Sequence, residues 1–90
     1  MLIPVTVSGA VGKQVVPTTK VVEVEGIFLT PSGANATIKV RDGNASGEVV
    51  FFGRATSANG TNSFAFDHKF TKGMHVKVIG TNAEAYLDIS

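Results

Sequence analysis

At 90 residues the chain is sized for a single domain, which buries only about two thirds of its extended surface. A hydrophobic fraction of 43% with 17% charged residues excludes a disordered tail, and a net charge of +1 lacks the basic excess of a dedicated nucleic-acid binder or membrane-surface protein. The absence of cysteine excludes a disulfide-stapled scaffold and leans towards a cytosolic origin or stabilisation by assembly.

Ten glycines and three prolines are spread so that no stretch of about 12 residues keeps an apolar helical stripe. Period-two segments recur instead, separated by Gly, Asn, Asp and Ser clusters. Leu2 to Val7 reads as a first strand; it lacks the basic region and long apolar core of a signal peptide. Nowhere does an apolar run approach the ~20 residues of a membrane-spanning helix. Ser8 to Gly12 is a link, and Gln14 to Val16 is a short extended piece ending at Pro17. Lys20 to Leu29 forms a long strand, stopped by Thr30-Pro31-Ser32-Gly33. Ala36 to Arg41 alternates most cleanly, with Ala36, Ile38 and Val40 inward. After the Asp42-Gly43 turn, Glu48 to Arg54 is a strand with apolar groups on both faces. In Ser63 to Phe70, the side chains of Phe64, Phe66, His68 and Phe70 share one face. Met74, Val76 and Val78 alternate with His75, Lys77 and Ile79, His75 facing solvent. The last strand sets Ala83, Ala85, Leu87 and Ile89 against Glu84, Tyr86 and Asp88. The sequons at Asn35, Asn44 and Asn59 read as turn composition.

Seven to eight strands with links too short for crossover helices predict an all-β fold, an antiparallel β-sandwich of jelly-roll-like form. One domain covers 1–90, with 1–17 set apart as a candidate N-terminal arm. Several strands carry apolar groups beyond their inward sets. If Val22, Val24 and Phe28 face the core, Ile27 and Leu29 face out; Ile79 and Tyr86 do so on the last two strands. Alternation pairs Val49 with Phe51 and Val50 with Phe52 without deciding which pair is outer. The contact candidates are therefore Ile27, Leu29, Val50, Phe52, Ile79 and Tyr86, and a homo-oligomer or host-protein interface is their expected cover.

Reaction chemistry is sparse. Asp67 and His68 are adjacent strand residues and point to opposite faces, so they form no dyad. No Gly-x-Ser-x-Gly elbow, phosphate loop or His-Glu-x-x-His pattern occurs, and neither an enzyme nor a cofactor is indicated. Asp42, Asn44 and Ser46 copy the first half of a calcium loop, but Gly53 stands where a bidentate Glu belongs, so a turn-rich connection is the expectation. Phe51, Phe52, Arg54, Phe64, Phe66, Lys69 and Phe70 suggest a small barrel binding single-stranded nucleic acid, yet most of these phenylalanines fall on one face, as a core does. A glycan module is as weakly indicated, since Trp is absent and Tyr86 is the one tyrosine.

From Val21 onward the chain resembles small virion proteins of tailed bacteriophages. The carrying residues are Gly26-Ile27-Phe28-Leu29, then Ala36-Thr37-Ile38-Lys39-Val40-Arg41-Asp42-Gly43, then Val49-Val50-Phe51-Phe52 and Ser63-Phe64-Ala65-Phe66. They end with Thr71-Lys72-Gly73-Met74-His75-Val76-Lys77-Val78-Ile79-Gly80-Thr81 and a closing strand. The resemblance implies a β-sandwich that decorates or cements a capsid, or anchors a fibre or knob, as a homo-oligomer and often a trimer. It implies a major capsid or other virion protein as partner, location in the virion, and no catalytic residues.

Overall fold

Alternation of β-branched and aromatic residues with polar ones builds nine strands among the described residues, and the chain crosses repeatedly between two antiparallel sheets. The structure, a computed structural model, describes residues 2–6, 12–32, 34–56, 60–80 and 83–90. The strands are β1 (Leu2–Thr6), β2 (Lys13–Val16), β3 (Val22–Thr30), β4 (Ala36–Asp42), β5 (Glu48–Ala55), β6 (Asn62–Phe64), β7 (His68–Phe70), β8 (Met74–Ile79) and β9 (Glu84–Ile89). One sheet runs β1-β9-β3-β6, with β7 also on β3; the other runs β2-β8-β4-β5. Because β6 and β7 both pair with β3, they share one strand position, leaving four positions per sheet in jelly-roll order. Among the described residues no helix is long and apolar enough to cross a membrane.

The core lies between the inner faces. Val24, Ile27, Leu29 and Leu87 come from the first sheet, and Ile38, Val40, Met74, Val76 and Val78 from the second, with Phe70 at the end. Phe51 extends it: its ring meets Phe64 edge-on at 5.3 Å and Phe66 at 4.9 Å between centroids. Gly53 makes room for that cluster, since a Cβ there would lie 2.9 Å from Cε2 of Phe51 and 3.1 Å from Cζ of Phe64.

Two bulges correct the expected faces. On β3 the register to β9 shifts between Val24 and Gly26, so Glu25 is an extra residue and the alternation resets after it. Ile27 and Leu29 consequently point inward and are fully buried, while Phe28 is half-buried on the outer side opposite Tyr86. On β5, Phe51 pairs with Val40 and Val49 with Arg41, which leaves Val50 as the extra residue. Neither alternating pair is outer as a unit. Phe52 and Val49 are exposed, whereas Val50 and Phe51 pack against the core.

An extra residue in the segment facing β3 also divides the expected Ser63 to Phe70 strand. Ile27 pairs with Phe64 and Val24 with His68, so four residue steps on one chain segment span what three span on β3. Pairing cannot run continuously past that mismatch, and β6 and β7 form on either side. The candidate arm is likewise revised: Leu2–Thr6 pairs with β9 and Lys13–Val16 with β8, supplying an edge strand to each sheet of the same molecule. Val7 and the Ser8 to Val11 part of the link lie outside the described residues.

Candidate interaction faces

The outer face of the second sheet is assembled by register. Lys39 of β4 stands between Phe52 of β5 and Lys77 of β8, and Thr37 stands between Arg54 and Ile79. One row further, Arg41 stands between Val49 and His75. Strand alternation turns all of these away from the core residues Ile38, Val40, Val76 and Val78. The Lys39 ammonium lies 5.9 Å from the centroid of the Phe52 ring, within cation–π range. The face thus gathers Lys39, Arg41, Arg54 and Lys77 around Phe52 and Ile79, and no carboxylate residue occupies these rows. A net charge of +1 conceals this clustering.

The outer face of the first sheet has the opposite character. Glu84, Tyr86 and Asp88 of β9 alternate with the buried Ala85 and Leu87, and Glu23 and Phe28 lie outward on β3. Glu23 is hydrogen-bonded to Asp67, and that bond, with the charges of Asp67 and Glu25 and a small desolvation, holds its carboxyl above the usual range. Lys69, opposite Glu23 in the ladder, acts the other way. Tyr86 is flanked by Pro4 and Phe28, which gives this face an apolar middle as well.

Of the six contact candidates, Phe52, Ile79 and Tyr86 are exposed, the first two on the cationic face and the third on the anionic one. Ile27 and Leu29 belong to the core, and Val50 packs against it. Leu2 and Val21 are exposed apolar residues that alternation did not single out.

His75 departs from expectation, whereas His68 keeps its place on the phenylalanine face. His75 is buried beneath Gly12, whose Cα hydrogen side faces the imidazole so closely that a Cβ would collide with it. Burial, and then the nearby Arg41 guanidinium, push its pKa below the ordinary value. The unfolded chain therefore takes up a proton near pH 6.5 that the folded protein refuses. Stability is expected to be fully present above about pH 6.5 and to fall as the pH drops from there towards the lower folded value. A urea-midpoint series across that window checks it: His75→Gln should lose its share of the slope, and an unchanged slope contradicts the assignment.

His68 stacks at 15° on Phe66 and meets Phe70 edge-on, with Nε2 3.4 Å from Oδ2 of Asp42. That pair joins residues 26 apart in sequence and was not visible from it. The candidate cation loop is a turn. Oδ1 of Asn44 accepts from the Ser46 N–H at 2.9 Å, its carbonyl accepts from the Gly47 N–H, and Arg41 Nη1 donates to Gly47 O at 2.8 Å. Among the described residues no three His, Cys, Asp or Glu side chains are grouped to hold a metal. An open cleft of about 380 Å³ lined by Thr18, Asp42, Gly43, Asn44 and Lys72 flanks this turn. Among the described residues every buried side-chain nitrogen and oxygen has a hydrogen-bond partner, so none is left aimed at a ligand. Comparison with family models, curated proteins and solved structures finds no match to this chain.

Proposed function

We propose that the chain is a non-enzymatic structural protein of a phage particle, a capsid decoration or cement protein acting through contacts with its own copies and with the shell. The carrying observation is the exposure of Phe52 at 55% and Ile79 at 48% on one outer face and Tyr86 at 37% on the other, over a core that is already filled. Side chains of this size each contribute up to roughly 1.5–3 kcal/mol when fully covered, so their remaining exposure favours association. Contacts made only by the folded, assembled state stabilise a shell by mass action. The jelly-roll order is one that viral capsid domains share with lectins, which supports the reading. A second reading, a module for single-stranded nucleic acid, draws on the Lys39–Phe52 pairing within the cationic face.

The test is sedimentation or mass photometry, alone and with capsids of the parent particle. An oligomer or particle-bound protein is expected; a dilute monomer without capsid affinity defeats the structural reading. Phe52→Asp should weaken association at least about tenfold, which is roughly 1.4 kcal/mol. Its unfolding midpoint should move little, because the side chain is exposed. Equal loss of association and of folding would show that Phe52 is a core residue instead.

A further inference from the structure

The two outer faces differ in the sign of their charge, and each sets like charges side by side. On the second sheet, Lys39 and Lys77 stand directly opposite each other in the β4–β8 ladder, an arrangement that like charges disfavour. On the first, Glu23, Glu25 and Asp67 crowd together against Lys69. Glu84 and Asp88 extend the same anionic side along β9. Each charged field surrounds an apolar centre: Phe52 and Ile79 on the cationic face, Phe28 and Tyr86 on the anionic one.

We propose that a second copy of this chain covers these faces head to tail, the cationic outer face of the β2-β8-β4-β5 sheet seating on the anionic outer face of the β1-β9-β3 sheet of the next molecule. The proposal rests on the oligomeric reading above and assigns its geometry. Such an interface is heterologous, because two different patches of one chain meet, and it propagates into a ring if the rotation closes or a filament if it does not. An isologous pairing of either face with itself would bring like charges together and add to the repulsion already present. Opposite faces instead place the Lys39–Lys77 pair against carboxylates and bring the two apolar centres into contact. Size permits this: principal extents of 37 × 24 × 18 Å leave a broad face comparable to the roughly 800 Å² that each partner gives to a standard interface.

The experiment is sedimentation velocity on the full chain and on two charge-reversed variants, Lys39→Glu with Lys77→Glu, and Glu23→Lys with Glu84→Lys. Far-ultraviolet circular dichroism on each confirms folding, which these surface positions leave intact. Wild type is expected to self-associate at low ionic strength and to weaken at least about tenfold as salt shortens the screening length. Each variant alone should lose self-association, and an equimolar mixture should regain it, since one now presents two acidic faces and the other two basic ones. Three results overturn the proposal. Association unaffected by either reversal means that a different surface is used, leaving the oligomeric reading standing. A wild-type chain that stays monomeric at low salt yet binds capsids keeps the decoration reading and removes the head-to-tail contact. A monomer that binds a single-stranded oligonucleotide, and loses that binding with Lys39→Glu and Lys77→Glu, assigns the cationic face to a polyanion instead.

Discussion

Leu29→Ala is expected to lower the stability of the folded chain by about 2–5 kcal/mol, the range for removing a fully buried leucine from a core that relaxes only in part. Leu29 is 0% exposed and lies inward on β3, two residues beyond Ile27 and opposite Ala85 of β9. Strict alternation from Val22 would have placed it on the outer face, where a truncation moves stability by no more than about 0.5 kcal/mol. The difference between those outcomes is the Glu25 bulge, so the measurement reads the face assignment directly. Urea unfolding at high salt, which suppresses association through the charged faces, should show a lower midpoint with little change in slope. Phe52→Ala measured in parallel should be nearly silent under the same conditions, as its ring is more than half exposed. Parity of the two variants would mean that the β3 register is wrong.

Such bulges set the limit of what alternation could tell. Where pairing is uninterrupted the pattern is faithful: Ala36, Ile38 and Val40 of β4 and Met74, Val76 and Val78 of β8 all face inward as their spacing requires. The sandwich and its jelly-roll-like form were legible for the same reason, because strand number and short links leave few topologies. A single inserted residue reverses every assignment downstream of it, and nothing in a period-two pattern marks whether Glu25 or Val50 is paired or extra. One cue was present at β3, where Gly26 interrupts the run in the way bulge glycines do. The Val49 to Phe52 run offered the other: four apolar residues in succession fit a strand whose alternation breaks once.

Charge segregation was hidden for a different reason. Lys39, Arg54 and Lys77 lie on three strands and interleave in sequence with residues of the opposite face, so no basic run forms. Only the order β8-β4-β5 brings them into neighbouring rows. The acidic face depends on the same kind of long-range pairing, with Glu84 and Asp88 joined to β3 across the β3–β9 ladder. Composition summed the two faces and reported a nearly neutral molecule.

Gly73→Ala is expected to cost on the order of 2–5 kcal/mol, combining left-handed backbone strain of roughly 1–2 kcal/mol with overpacking of about 1–3 kcal/mol. Gly73 has φ of +86°, and a Cβ there would lie 2.5 Å from Val16 O and 2.6 Å from Pro17 O. Those are main-chain atoms and have no rotamer into which to move. The clash also falls where three segments are joined: the Gly73 N–H donates to Lys20 O at 3.1 Å, and its carbonyl accepts from the Gly43 N–H at 3.0 Å. Pushing Val16 and Pro17 away therefore loosens the β2 edge, which Gln14 also ties down through Nε2 contacts of 2.7 Å to Val16 O and Gly43 O. Gly43→Ala separates the two contributions, since φ there is +96° but no atom lies within 4 Å of the added methyl. It should lose only the torsional part, roughly 1–2 kcal/mol. In urea titrations the two variants should thus differ by about 1–3 kcal/mol. A Gly73→Ala protein no less stable than Gly43→Ala would show that the β2 edge yields freely, and that the second sheet does not depend on this close backbone approach.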